Sequence, residues 1–227
     1  MKLILALSTL IMCVVCFVQP ASGDVFLCDY LGYDYTHPNP RDFTTPGQFY
    51  EAVGDVPEIS SAAVDTDYDN NWYTFHLISG TLTSADTIGG VFAFYHYDGV
   101  GDDAGTFHIY EDPFLGGTAA DFGTFPPNVT APSTFNDGSL LLGATFTSLQ
   151  VMVNLTNWTA SLNGTLQFYC GEGWGSLPCY EGWTFAGMGV AQPGIPDGYL
   201  WQIDGEVYVE EIATQNSSWG DVKQMFR

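Results

Sequence analysis

The stretch Tyr199-Leu200-Trp201-Gln202-Ile203-Asp204-Gly205-Glu206-Val207-Tyr208-Val209-Glu210-Glu211-Ile212 decides the fold class of this chain. Gln202, Asp204, Glu206, Tyr208 and Glu210 fall on one side of an extended segment, and Trp201, Ile203, Val207 and Val209 on the other. Strand side chains alternate between two faces, so this period of two describes an antiparallel strand with one face wet and one on a core. Residues two apart on the wet face stand about 7 Å from each other. The carboxylates of Asp204, Glu206 and Glu210 therefore read as a mutually repelling ladder rather than as a hydrolytic acid pair.

Further runs of the same kind lie upstream at residues 73–83, 90–97, 105–111, 139–153, 159–170 and 182–190. Glycines and prolines, 26 and 12 of them, punctuate these runs, and no helical heptad interrupts them. Seven such segments predict an all-β domain, an antiparallel β-sandwich or a barrel-like single domain over residues 24–213. The segment 28–65 is less regular. Thr36-His37-Pro38-Asn39-Pro40 is turn-rich, and residues 48–53, after Thr45-Pro46, suggest one helical turn. Residues 114–137, rich in Gly, Pro and Thr, are too long for a hairpin turn and predict an ordered surface loop.

Lys2, the apolar run from Leu3 to Val18, and Ala21-Ser22-Gly23 match a secretory signal peptide over residues 1–23. The chain is thus expected to be secreted or held at a cell surface. No later stretch reaches the roughly 18 apolar residues of a spanning helix, so no membrane span is expected. After residue 23 the chain carries 26 acidic residues against only Arg41, Lys223 and Arg227, a net charge of about −23. A phosphate-binding surface needs Lys and Arg contacts, which excludes nucleic acid as a partner. Lysine-dependent chemistry (the Walker loop, a Schiff base, the kinase lysine) has no lysine inside the domain to use. The remaining partners are cations, neutral polymers such as glycans, and other surface proteins.

Asp65-Thr66-Asp67-Tyr68-Asp69-Asn70-Asn71 places Asp65, Asp67, Asp69 and Asn71 at alternate positions of a loop, a pattern that converges oxygens on a hard cation. The motif is not an EF-hand, which needs Gly at Asn70 and Glu at His76. Structural Ca²⁺ is the cofactor expected there, with Asp98-Gly99-Val100-Gly101-Asp102-Asp103 a second acidic turn. His76, His96 and His108 fall in three successive candidate strands; parity points His76 and His108 outward and leaves His96 unassigned. In an oxidising compartment Cys170 and Cys179 are the natural disulfide pair, leaving Cys28 odd and open to pairing with either. Trp174, Tyr180 and Trp183 crowd that loop and are the candidate platform for stacking on a sugar face, unless they fill the core around the clip. Asn128, Asn154, Asn157, Asn163 and Asn216 stand in glycosylation sequons.

Residues 214–227 differ in kind: a polar linker leads into Ser218-Trp219-Gly220-Asp221, a capping-box-like start for a short helix carrying Trp219, Val222, Met225 and Phe226. This tail resembles the short Trp-Gly…Lys…aromatic-Arg endings of some secreted bacterial proteins, and it is expected to be read by a sorting or docking partner. The resulting expectation is a secreted, non-catalytic β protein, a structural surface component or a binding module stabilised by calcium. The alternative is an extracellular protein that binds or cleaves a neutral glycan.

Overall fold

In the computed structural model the described residues are 25–37, 45–97, 104–122, 133–169, 175 and 181–209. The leader 1–23, Cys170, Cys179, Trp174, Tyr180, the turn 98–103 and the tail 214–227 lie outside them. The described strands are β1 (Val25–His37), β2 (Phe49–Ile59), β3 (Asn71–Ile88), β4 (Phe92–Tyr97), β5 (Thr106–Pro113), β6 (Ser139–Asn154), β7 (Thr159–Phe168), β8 (Glu181–Val190) and β9 (Gln202–Val209).

These nine strands occupy eight positions of a closed antiparallel barrel, because β4 and β5 stand end to end. β3 pairs with β5 from Asn71 to Ile78 and with β4 from Leu82 to Ile88. β6 meets the same two strands, β5 through its first half and β4 through its second. The circuit then runs through β7, β8 and β9 back to β1, β2 and β3. The hairpin that starts the divided position turns at Gly89 and Gly90, whose φ angles of 62° and 69° are the left-handed pair a tight two-residue turn requires. The barrel resolves the alternative left open by the strand pattern in favour of closure over a sandwich.

An eight-stranded barrel has an interior just wide enough for side chains to fill. Here Tyr30, Phe75, Phe107, Phe146 and Phe185 fill its middle, all fully or almost fully buried. Tyr30 lies flat on Phe185, with centroids 4.7 Å apart and planes 5° apart, and it meets Phe75 and Phe107 edge-on. Its hydroxyl donates to the Ala186 carbonyl at 2.9 Å. Gly187 and Gly205 make the room, since a Cβ at either position would overlap the Tyr30 hydroxyl. Each such ring buries about 150–250 Å², worth about 4–6 kcal/mol of transfer free energy before conformational entropy.

Two sequence expectations are corrected. Residues 48–53 form no helical turn, because residues 49–59 are β2, paired with β1 on one side and β3 on the other. The irregular segment 28–65 supplies two full strands whose alternation is hidden by covering on both faces. Val53 and Tyr35 point outward yet are buried, in a cluster with Phe135 and Tyr199 that Tyr33, Ala120, Phe122 and Ile195 extend. The described parts of residues 114–137 form a surface loop, mostly exposed and anchored to the wall through the fully buried Phe135. Thr74 Oγ1 donates to the Phe135 carbonyl at 2.9 Å, and Tyr199 Oη to the Phe122 carbonyl at 3.1 Å.

Candidate functional site

The acidic loop joins β2 to β3 and is exposed at Asp65, Asp67 and Asp69. Asp67 serves its own turn. Its Oδ1 accepts from the Asp69 amide at 3.2 Å, its Oδ2 from Asn70 Nδ2 at 2.8 Å, and its carbonyl from the Asn70 and Asn71 amides. Asn71 Nδ2 donates away from the loop, to Glu111 Oε1 on β5, which also receives the Tyr73 hydroxyl. This is the self-capping geometry that Asp adopts in turns. Among the described residues, no group of three or more His, Cys, Asp or Glu is arranged to hold a metal ion.

Of the proposed aromatic platform, Trp174 and Tyr180 lie outside the described residues, as do Cys170 and Cys179. Trp183 is 0% exposed and packs edge-on to Phe168 inside the barrel, so its ring offers no face to a sugar. Cys28 is a free, fully buried thiol, and burial pushes its pKa far up, the neighbouring Asp29 charge adding to the effect. Among the described residues the exposed tryptophan is Trp158, at 55%. It ends the β6–β7 turn with φ of 55°, a left-handed conformation that a bulky residue adopts only under constraint. Its carbonyl accepts Trp201 Nε1–H at 2.9 Å and its amide donates to the Asn154 carbonyl at 2.8 Å, which hold the turn in place. The β3–β4 turn touches this one through the Leu155 amide and the Val91 carbonyl, 2.8 Å apart. Ile88, Val91, Phe92, Trp158 and Val190 thus form an exposed apolar rim at one end of the barrel.

The outward parity expected of His76 and His108 holds: they sit directly opposite each other across β3 and β5. His76 is buried beneath the 133–138 segment, with Nε2 2.7 Å from Glu51 Oε1. Asn136 Nδ2 lies 3.3 Å from His76 Nδ1 and can only donate, so as placed the ring accepts there and its Nε2–H points at Glu51. His108 stands between Tyr110 and Tyr169, its Nδ1 3.3 Å from the Tyr110 hydroxyl, and burial followed by the neighbouring His76 lowers its pKa. His96 lies apart, against Gln150 on β6. The sequence pattern placed the three histidines on strands but could not show that Glu51, from a segment read as irregular, completes a buried pair with one of them.

The wet face of β9 is as expected, with Asp204 and Glu206 exposed. They border a groove of about 440 Å³ shared with Asp29, Ser161, Asn163 and Met188, floored by Ala186, Gly187 and Gly205. Partial burial, then Glu58 and Asp204, raise the pKa of Asp29.

Asp34 is the residue that sequence reasoning missed. It points into the barrel from β1, opposite Ala52, and is fully buried. Oδ1 accepts the Trp201 amide at 2.8 Å, whereas Oδ2, the Tyr50 hydroxyl and the Tyr97 hydroxyl make no hydrogen bond of normal geometry. Burial drives its pKa up to about 7 against the opposing pull of the adjacent Tyr50 hydroxyl and the Trp201 amide. The available hint was an Asp set between two tyrosines, Tyr33 and Tyr35, in a mostly apolar run.

Comparison of the chain with protein-family models, curated proteins and solved structures finds no match.

Proposed function

We propose that this chain is a secreted, non-catalytic β-barrel module, a structural surface component or a binding module, that works through its outer surface. The observation carrying this reading is the apolar rim of Ile88, Val91, Phe92, Trp158 and Val190, presented by two turns braced against each other on a barrel filled with side chains. Exposed apolar patches on a soluble domain mark contact surfaces. A constrained backbone at Trp158 is the kind of local cost retained where a side chain must be held in place.

A second reading, binding of a neutral glycan, is favoured by the exposure of Trp158 beside the amides of Asn154 and Asn157. Aromatic faces stack on sugars, and neighbouring amides orient their hydroxyls. In this reading Trp158 takes the role that the sequence suggested for Trp183. Structural calcium at Asp65, Asp67, Asp69 and Asn71 belongs to the same proposal, as does the tail 214–227 as a recognition tag.

Sedimentation velocity and glycan-array binding of the 24–227 protein, wild type against Phe92→Ala/Trp158→Ala, test the rim. A contact surface loses self-association or glycan binding in the variant. A wild type that does neither, or a variant that keeps both, refutes it, and the array alone separates the glycan reading from the surface-component one.

A further inference from the structure

A barrel this narrow normally closes over apolar side chains, and the aromatic middle obeys that rule. The end near Trp201 does not. There β1, β2 and β4 direct Asp34, Tyr50 and Tyr97 inward, and Tyr50 and Tyr97 bring their rings within 6.2 Å of each other. Three oxygens in this group, Asp34 Oδ2, Tyr50 Oη and Tyr97 Oη, are buried and make no hydrogen bond of normal geometry, although the Tyr50 hydroxyl lies close enough to the Asp34 carboxyl to pull its pKa down. More than nine in ten buried polar groups in folded proteins are satisfied, so three such oxygens from three separate strands facing one region need an explanation.

Charge sharpens the question. An ionised carboxylate inside a protein is stable only when paired or coordinated. All four Lys and Arg residues lie outside the described residues. The buried His76 is outward-facing and already pairs with Glu51, while His96 and His108 belong to the outer surface. Among the described residues, only Tyr50 and Tyr97 offer titratable side chains beside Asp34, and both are neutral phenols.

We propose that Asp34, Tyr50 and Tyr97 form an internal site for one small monovalent cation, alkali or ammonium, held by the carboxylate and the two phenolic oxygens. One carboxylate balances one positive charge, which favours a monovalent over a divalent ion. Neutral oxygen donors suit a hard cation and equally accept the N–H groups of ammonium. The site is separate from the exposed rim and does not depend on its function.

The test is thermal unfolding at pH 8 and constant ionic strength in sodium, potassium or ammonium chloride, against N-methylglucamine chloride, whose cation is too large to enter the barrel. A native-state site raises Tm by mass action, and a tenfold excess over Kd corresponds to about 3–6 °C for a domain of this size. The shift is expected with at least one small cation and absent in Asp34→Asn, which keeps the Oδ1 acceptor for Trp201 but carries no charge. Tyr97→Phe removes one oxygen, retains the buried ring and weakens the shift, which carries the test if the Asn variant fails to fold. Equal Tm in all four salts overturns the site. So does a small-cation shift that survives unchanged in the variants, which then belongs to the acidic exterior.

Discussion

Replacing Asp34 by Asn should change how the protein's stability depends on pH, and the size of the change follows from burial. The folded carboxyl titrates at about 7 against 3.8 for the group in its ordinary state, a difference of about three pH units. At 1.36 kcal/mol per unit this is about 4 kcal/mol. Because the folded state holds the proton that the unfolded chain has released, the stability linked to Asp34 is fully present below pH 3.8. It is lost as the pH rises towards 7 and stays lost above that. An Asn side chain does not titrate, so the Tm of the variant relative to wild type should climb by about 8–16 °C between pH 4 and pH 8. The assay is calorimetry in N-methylglucamine buffers of constant ionic strength. Taking the difference between the two proteins cancels the background from the other 25 acidic residues of the chain. A gap that stays constant within about 2 °C across that range would refute the assignment. NMR titration of the Asp34 carboxyl carbon in the wild type gives an independent reading.

Other outcomes follow from the same geometry. If residues 65–71 hold structural calcium, saturation a hundredfold above Kd adds about 2.7 kcal/mol to the wild type and nothing to Asp67→Ala/Asp69→Ala; no calcium shift in the wild type leaves a self-capped turn. Gly187→Ala places a methyl on the Tyr30 hydroxyl and should cost about 1–3 kcal/mol, seen as a lower denaturant midpoint. An unchanged midpoint would mean that Tyr30 moves freely. His76→Ala removes the ring N–H that points at Glu51, leaving that buried carboxyl with Tyr35, and should cost about 1–3 kcal/mol. It also removes the Asn136 anchor, so chymotrypsin should cleave near Phe114 or Phe122 before the barrel unfolds; wild-type resistance there would show that the loop does not depend on His76.

How much of this was legible depended on whether a strand had one wet face. From β3 to β9 the alternation of polar and apolar residues, with glycine turns between, located every strand within a few residues. β9 shows why: Ile203 and Val207 are buried while Asp204 and Glu206 are exposed. β1 and β2 carry no such pattern, because Tyr35 and Val53 on their outer side are covered by Phe135 and Tyr199 while Asp34 and Tyr50 face inward. A polar residue inside and apolar residues outside erase the period on which sequence reading relies. Tryptophan went the same way: Trp183 and Trp158 are alike in composition, and only their places in the barrel make one core and the other surface.

The sequence by itself determined the all-β class, the antiparallel hairpins, the acidic face of β9 and the lack of lysine inside the domain, since each of these is a local pattern or a count. The tertiary structure alone decided that the sheet closes, that β4 and β5 share one position, and that Glu51 meets His76. It also decided that Asp34, Tyr50 and Tyr97 are brought from three separate strands into the buried interior. These depend on contacts between residues far apart in the chain, and the register that brings them together is set by how side chains fill the barrel, which no local stretch records.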